Sequence, residues 1–161
     1  MHSKSMTIEQ ILTLLAAAPH RITTLTGDLA PAQLRIAPTP DEWSVNDVLA
    51  HLRACADVWG GYIARILSED MPAIRYLSPR TWIRRTDYPE QAFHPSLQAF
   101  TKQRAELLAV LEPLPPDAWS RAATVTKSGS VRTQTVLSFA EQLATHEQLH
   151  LEQIELIVSP A

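Results

Sequence analysis

The chain has 161 residues, 45% of them apolar and 19% charged, with a formal net charge of −3. That length suits one domain, residues 1–161, with a core of its own, and the composition is not that of a disordered polyelectrolyte. The slight acidity gives no footing for a nucleic-acid partner, and no apolar run approaches the roughly 20 residues that cross a bilayer, so no membrane partner is expected. A single cysteine, Cys55, excludes an intramolecular disulfide framework. With no signal peptide visible, it leads us to expect a cytoplasmic protein.

The opening Met1-His2-Ser3-Lys4-Ser5 is polar and is expected to be disordered, so His2 is left out of any site. The first helical stretch carries Ile8, Ile11, Leu12 and Leu15, then Ile22, Leu25 and Leu29, with Pro19 expected to kink or restart it. The second runs through Val45, Val48, Leu49, Leu52, Cys55, Ala56, Trp59, Ile63 and Ile66; Ser44 is its predicted N-cap, with Asp47 at the capping-box position. The third carries Leu97, Phe100, Leu107, Leu108 and Leu111 and ends before Pro113. The fourth carries Val136, Phe139, Ala140, Leu143, Ile154 and Ile157.

No stretch sustains two-residue alternation and glycine is scarce, which predicts an all-α fold, a single four-helix bundle. Long connections follow helices two and three. Residues 68 to 92 hold Pro72, Pro79 and Pro89 among aromatic and basic residues. Residues 113 to 134 hold three prolines and the Ser128-Gly129-Ser130 turn signal of a short hairpin. Connections of this length commonly act as lids or walls.

The fourth helix contains His146-Glu147-Gln148-Leu149-His150. His-Glu-x-x-His on a helix is the zinc-protease signature, two ligands and a general base. The metzincin extension requires Gly at 153 and His at 156, where Gln153 and Leu156 stand, and the sequence ends at Ala161 without a downstream histidine. The protease reading is therefore set aside, and the remaining metal ligand is sought elsewhere in the chain.

At about 100° per residue, His146 and His150 lie roughly 40° apart and within roughly 60° of the inward stripe centred on Leu143. Two buried imidazoles need partners, at about 1–3 kcal/mol for each unpaired group, and one divalent ion satisfies both. His51 lies about 100° from the centre of the second helix's stripe, on its shoulder, where it can reach a cavity yet stay open to substrate. Three histidines from two helices match an open catalytic site better than a closed structural one. Such a set suits zinc, nickel or another late first-row ion. Against this stands the plainer alternative of three separately hydrogen-bonded histidines. His20 and His94 fall outside the stripes and are read as surface residues.

Arg104 falls in the middle of the third helix's apolar stripe and must be paired. Glu147 lies about 40° from the fourth stripe's centre. One reading is a structural Arg104–Glu147 pair; the other makes Arg104 an anchor for a substrate carboxylate and Glu147 a base to a metal-bound water. Cys55, one turn after His51, is read as a packing residue placed near the metal. Trp43, Trp59, Tyr62, Trp82 and Tyr88 are candidates to line a pocket or simply to fill the core. Arg75, Arg80, Arg84 and Arg85 are read first as a solvated surface and second as a field for an anionic substrate.

The segments from Asp41-Glu42-Trp43-Ser44 to Ala50-His51-Leu52 and His146-Glu147-Gln148-Leu149-His150-Leu151-Glu152-Gln153-Ile154, with Arg104 between them, resemble the DinB/YfiT-like superfamily of metal-dependent four-helix bundles. The likeness runs in order and spacing over nearly the whole chain. It implies an up-down-down-up connection and a divalent ion held by His51, His146 and His150. Characterised relatives include thiol S-transferases and a maleylpyruvate isomerase that use mycothiol, bacillithiol or glutathione, while many members have no assigned activity. Homodimers recur among them.

Three functions follow as expectations. The first is a metal-dependent transfer or isomerisation using a low-molecular-weight thiol, with a small-molecule electrophile as substrate. The second is metal-assisted hydrolysis with Glu147 as base. The third is a non-enzymatic metal-binding or sensing bundle.

Overall fold

Residues 5–159 are described by a computed structural model; the expectation of disorder at residues 1–4 lies outside them. Four long helices carry the fold. Helix α1 (Ile8–Thr26) opens on a capping box in which the Thr7 hydroxyl accepts from Gln10 N and the Gln10 side chain accepts from Thr7 N. A short α2 (Pro31–Leu34) leads to α3 (Val45–Ser68), which Ser44 and Asp47 cap reciprocally as the sequence predicts. Such a cap is worth about 1 kcal/mol. After β1 (Ala73–Arg75), α4 (Pro79–Ile83) and a 3-10 turn (Tyr88–Glu90) come α5 (Phe93–Leu111) and α6 (Pro116–Trp119). Strands β2 (Ala122–Lys127) and β3 (Ser130–Thr135) precede α7 (Val136–Val158). Helices α1 and α3 each pack against both α5 and α7.

Two expectations change. The first is Pro19, which does not restart α1 as a second helix: the helix runs unbroken through it. Proline has no N–H, so the carbonyl of Leu15, four residues earlier, loses its helical donor. Arg104 from α5 supplies the replacement, its Nη1 donating to Leu15 O at 2.9 Å.

The second is the sheet. A strictly all-α fold is corrected by three strands in the order β1-β2-β3, with β1 parallel to β2 and β2 antiparallel to β3. The hairpin turn is the one signalled by Ser128-Gly129, both with positive φ (49° and 82°), the backbone of a two-residue turn that matches strand twist. Only Ile74 of β1 and Ala123 and Val125 of β2 are buried. With so few inward residues, the alternation is too short to stand out in the sequence.

The core falls into two clusters. One joins Ile11, Leu15, Trp59, Ile63 and Phe139 to the sheet residues Ile74, Ala123 and Val125. The other joins Ala18, Ile22, Val48, Leu52, Phe93, Phe100, Leu151 and Ile154. Between them along α3, α5 and α7 stand the polar residues His51, Arg104, His146 and Glu147, so the candidate chemistry sits on a belt that divides the apolar interior.

The connection after α3 is tied down by α3 itself. Asp57 Oδ2 accepts from Trp82 Nε1 (2.9 Å) and from the Tyr88 hydroxyl (2.6 Å). Asn46 Nδ2 donates to the carbonyls of Pro89 and Gln91. Arg53 donates to Gln91 Oε1 and Ser96 Oγ while its guanidinium lies 3.8 Å from the Tyr88 ring centroid. These anchors hold α4 beside the mouth of the histidine site.

Candidate metal centre

His51, His146 and His150 come together. Nε2 of His146 lies 2.9 Å from Nε2 of His51 and 3.0 Å from Nε2 of His150. Cys55 Sγ stands 3.5 Å from His51 Nε2, and Cys55, His51 and His146 together form a group whose ligand atoms all lie within 4.8 Å of one another. His51 is only 6% exposed, more deeply placed than its shoulder angle predicts. The Trp43 ring lies 5.0 Å from the His51 ring and stacks on His150 at 6.1 Å, and Trp59 meets His146 edge-on at 5.1 Å. His20 and His94 are exposed, as expected.

The hydrogen positions expose a deficit. A neutral imidazole has one N–H and one lone pair. Nδ1 of His150 is 2.8 Å from Gln153 Oε1, an acceptor, so Nδ1 holds the hydrogen and Nε2 presents its lone pair to the cluster. A hydrogen on His146 Nε2 can be donated to only one neighbour, and without it both contacts fall on the same lone pair. A second proton does not repair this. Burial first, then the neighbouring imidazoles and Arg80, lowers His51 to about 4. Burial, His150 and Arg80 lower His146 to about 4, and burial also lowers His150.

A late first-row cation fits this donor set. Metal–imidazole bonds of about 2.0–2.1 Å hold neighbouring nitrogens roughly 3 Å apart or slightly more, close to the spacing of His146 Nε2 from His51 and from His150. The Gln153 acceptor behind His150 is the outer partner such ligands commonly have. Gln153 carried a signal in the sequence, three residues after His150, that spacing alone did not decode. Burial drives the Cys55 thiol strongly upward, with the Glu147 charge adding to it, so without a cation it stays protonated.

Arg104 and Glu147 also come together. They are 2% and 0% exposed, and two guanidinium nitrogens of Arg104 donate to the two carboxylate oxygens of Glu147, Nη1 to Oε1 at 2.8 Å and Nη2 to Oε2. Burial pushes the Glu147 carboxyl up and Arg104 opposes it. The aromatic candidates divide: Trp43 and Trp59 flank the histidines, whereas Trp82 and Tyr88 bond Asp57. The basic run divides too, Arg80 alone lining the cavity beside His150.

Among the described residues no helix is long and apolar enough to cross a membrane. Comparison with solved structures finds YfiT from Bacillus subtilis, described as "a probable metal-dependent hydrolase with an unusual four-helix bundle topology". The TM-score is 0.81 at 18% identity, over 98% of this chain and 90% of that one. Comparison with curated proteins finds no match. The family model described as the DinB superfamily matches residues 14–154. With most of its length so matched, the chain belongs to the DinB superfamily.

Proposed function

We propose that this protein binds one divalent ion, zinc or nickel, through His51, His146 and His150, and uses it with a low-molecular-weight thiol to transfer or isomerise a small electrophile. The observation that carries the metal reading is the meeting of three Nε2 atoms with the His150 tautomer set by Gln153. When bound, the ion would supply a Lewis acid that lowers the pKa of a thiol at neutral pH.

The chain's own residues do the rest. Gln153 fixes one ligand ring, Trp43 and Trp59 exclude water from two sides, and the anchored α4 leaves a mouth for substrate. Metal-loaded protein is expected to bind a thiol of the mycothiol, bacillithiol or glutathione type and turn over a small electrophile; a panel of thiols and electrophiles with neither binding nor turnover defeats the transferase reading.

Metal-assisted hydrolysis is the second reading, favoured by the fold shared with YfiT and its printed description. With Glu147 as base, Glu147→Gln that keeps fold and metal content would abolish turnover. The engagement of both carboxylate oxygens by Arg104 weighs against that role.

The up-down-down-up connection belongs to the same reading. In support of it, Met6 N donates to Glu141 and Arg21 pairs with Glu155, so low numbers on α1 meet low numbers on α7. Arg53 meets Ser96 and Asp57 meets Gln103 in the same sense along α3 and α5. A homodimer is also part of it, and the exposed Leu149 and Leu156 of α7 favour such a contact.

A further inference from the structure

A cavity of about 590 Å³ opens on His150 of the histidine cluster, and its lining includes Trp43, Arg80 and Gln153 together with Asp41 and Glu42. Of the four arginines in the connection, Arg80 is the one that lines it. The Arg80 guanidinium lies 6.0 Å from the Trp43 ring centroid. It is exposed, and among the described residues its side chain has no hydrogen bond or ion pair. The cavity thus joins one ring of the histidine cluster, His150, to a guanidinium with unused donors.

Arginine presents a planar fork matched to carboxylates, and its hydrogen bonds to an anion are stronger than neutral ones. Arg104, the other candidate for this work, is buried and already engaged by Glu147 and Leu15. Asp41 and Glu42 share the cavity wall, so a dianion brought to Arg80 meets repulsion that a single carboxylate escapes in larger part. We infer that Arg80 is a specificity residue, and that the ligand of this cavity is a small molecule carrying one carboxylate, held at Arg80 while its reactive end points to the histidines. This rests on the site reading above and adds the substrate class.

The test uses the indole signal of Trp43 in nitrogen–proton NMR spectra of the full chain, apo and nickel-loaded. The probes are 3-mercaptopropionate, 2-mercaptoethanol and inorganic phosphate. The carboxylate-bearing thiol is expected to bind about tenfold more tightly than its neutral counterpart, a preference that Arg80→Gln removes and Arg80→Lys partly restores. The Arg80 side chain holds no other part of the fold, so the variants keep wild-type spectra elsewhere and wild-type nickel content. Equal affinity for the two thiols, an unchanged preference in Arg80→Gln, or tighter binding of phosphate overturns the inference. Nickel content on the same samples reports separately on the metal reading: an Arg80-dependent preference in protein that takes up no nickel leaves the anion site standing and defeats the histidine site.

Discussion

Two polar clusters cross the interior at the same level, one residue apart on α7, and they differ in how their hydrogen bonds close. At Arg104 and Glu147 every carboxylate oxygen has a donor, and a spare guanidinium bond repairs the carbonyl that Pro19 left open. At His51, His146 and His150 three nitrogens meet without enough hydrogens to pair them. The first cluster pairs both of its charges within the chain, leaving Arg104 Nε as its one atom without a partner, and acts as structure. The second leaves nitrogens unpaired, a deficit that the proposed ion would fill. Burial separates them as well, because the ion pair is sealed while His146 and His150 are only half-buried beside an open cavity.

The comparison breaks most sharply at Arg104. Arg104→Met leaves a buried carboxylate and the Leu15 carbonyl without partners, and is expected to cost about 3–5 kcal/mol in urea unfolding. Adding Glu147→Leu should recover much of that loss, since the unpaired charge is gone. A single substitution costing under about 1 kcal/mol would mean that the pair is solvated and not part of the frame. In the metal-free protein the contrasting expectation is that His51→Ala or His146→Ala destabilises far less, because no completed network is lost.

A finer cut is Gln153→Leu, which releases the His150 ring while leaving all three imidazoles in place. Metal affinity should fall by about ten- to hundredfold, with little change in the unfolding midpoint of the metal-free form. Titration with nickel reads the effect directly, and an unchanged affinity would remove Gln153 from the site.

A third contrast lies in pH dependence. His51 and His146 have folded values near 4 against an ordinary value of 6.5, so below pH 6.5 the unfolded chain takes up protons that the folded chain refuses. Stability of the metal-free protein should therefore decline as pH falls from about 6.5 towards 4. Thermal unfolding of His51→Ala across that window should show a shallower decline. A decline as steep as the wild type's would place its origin in other groups.

Much of this was legible in the sequence, for reasons that also mark where legibility stops. The stripes of α3, α5 and α7 and the Ser44–Asp47 cap are local, and those of α5 and α7 place Arg104, His146, His150 and Glu147 on inward faces. His51 was read at the shoulder of its stripe, yet it is buried. The periodicity of α3 records its own faces but not the cover that Trp43 adds. Pro19 reads as a break because its remedy comes from Arg104, far along the chain. The hairpin of β2 and β3 is signalled at Ser128-Gly129, but β1 is not, because it has a single inward side chain and its pairing with β2 spans some fifty residues of sequence.

The most direct test is metal content by mass spectrometry of untagged protein, wild type beside His51→Ala, His146→Ala and His150→Ala, each reconstituted with zinc or nickel. One equivalent in the wild type, lost in all three variants while Arg80→Gln retains it, is the predicted result. Wild-type protein that holds no metal after reconstitution, or single-histidine variants that hold as much as the wild type, would contradict the site.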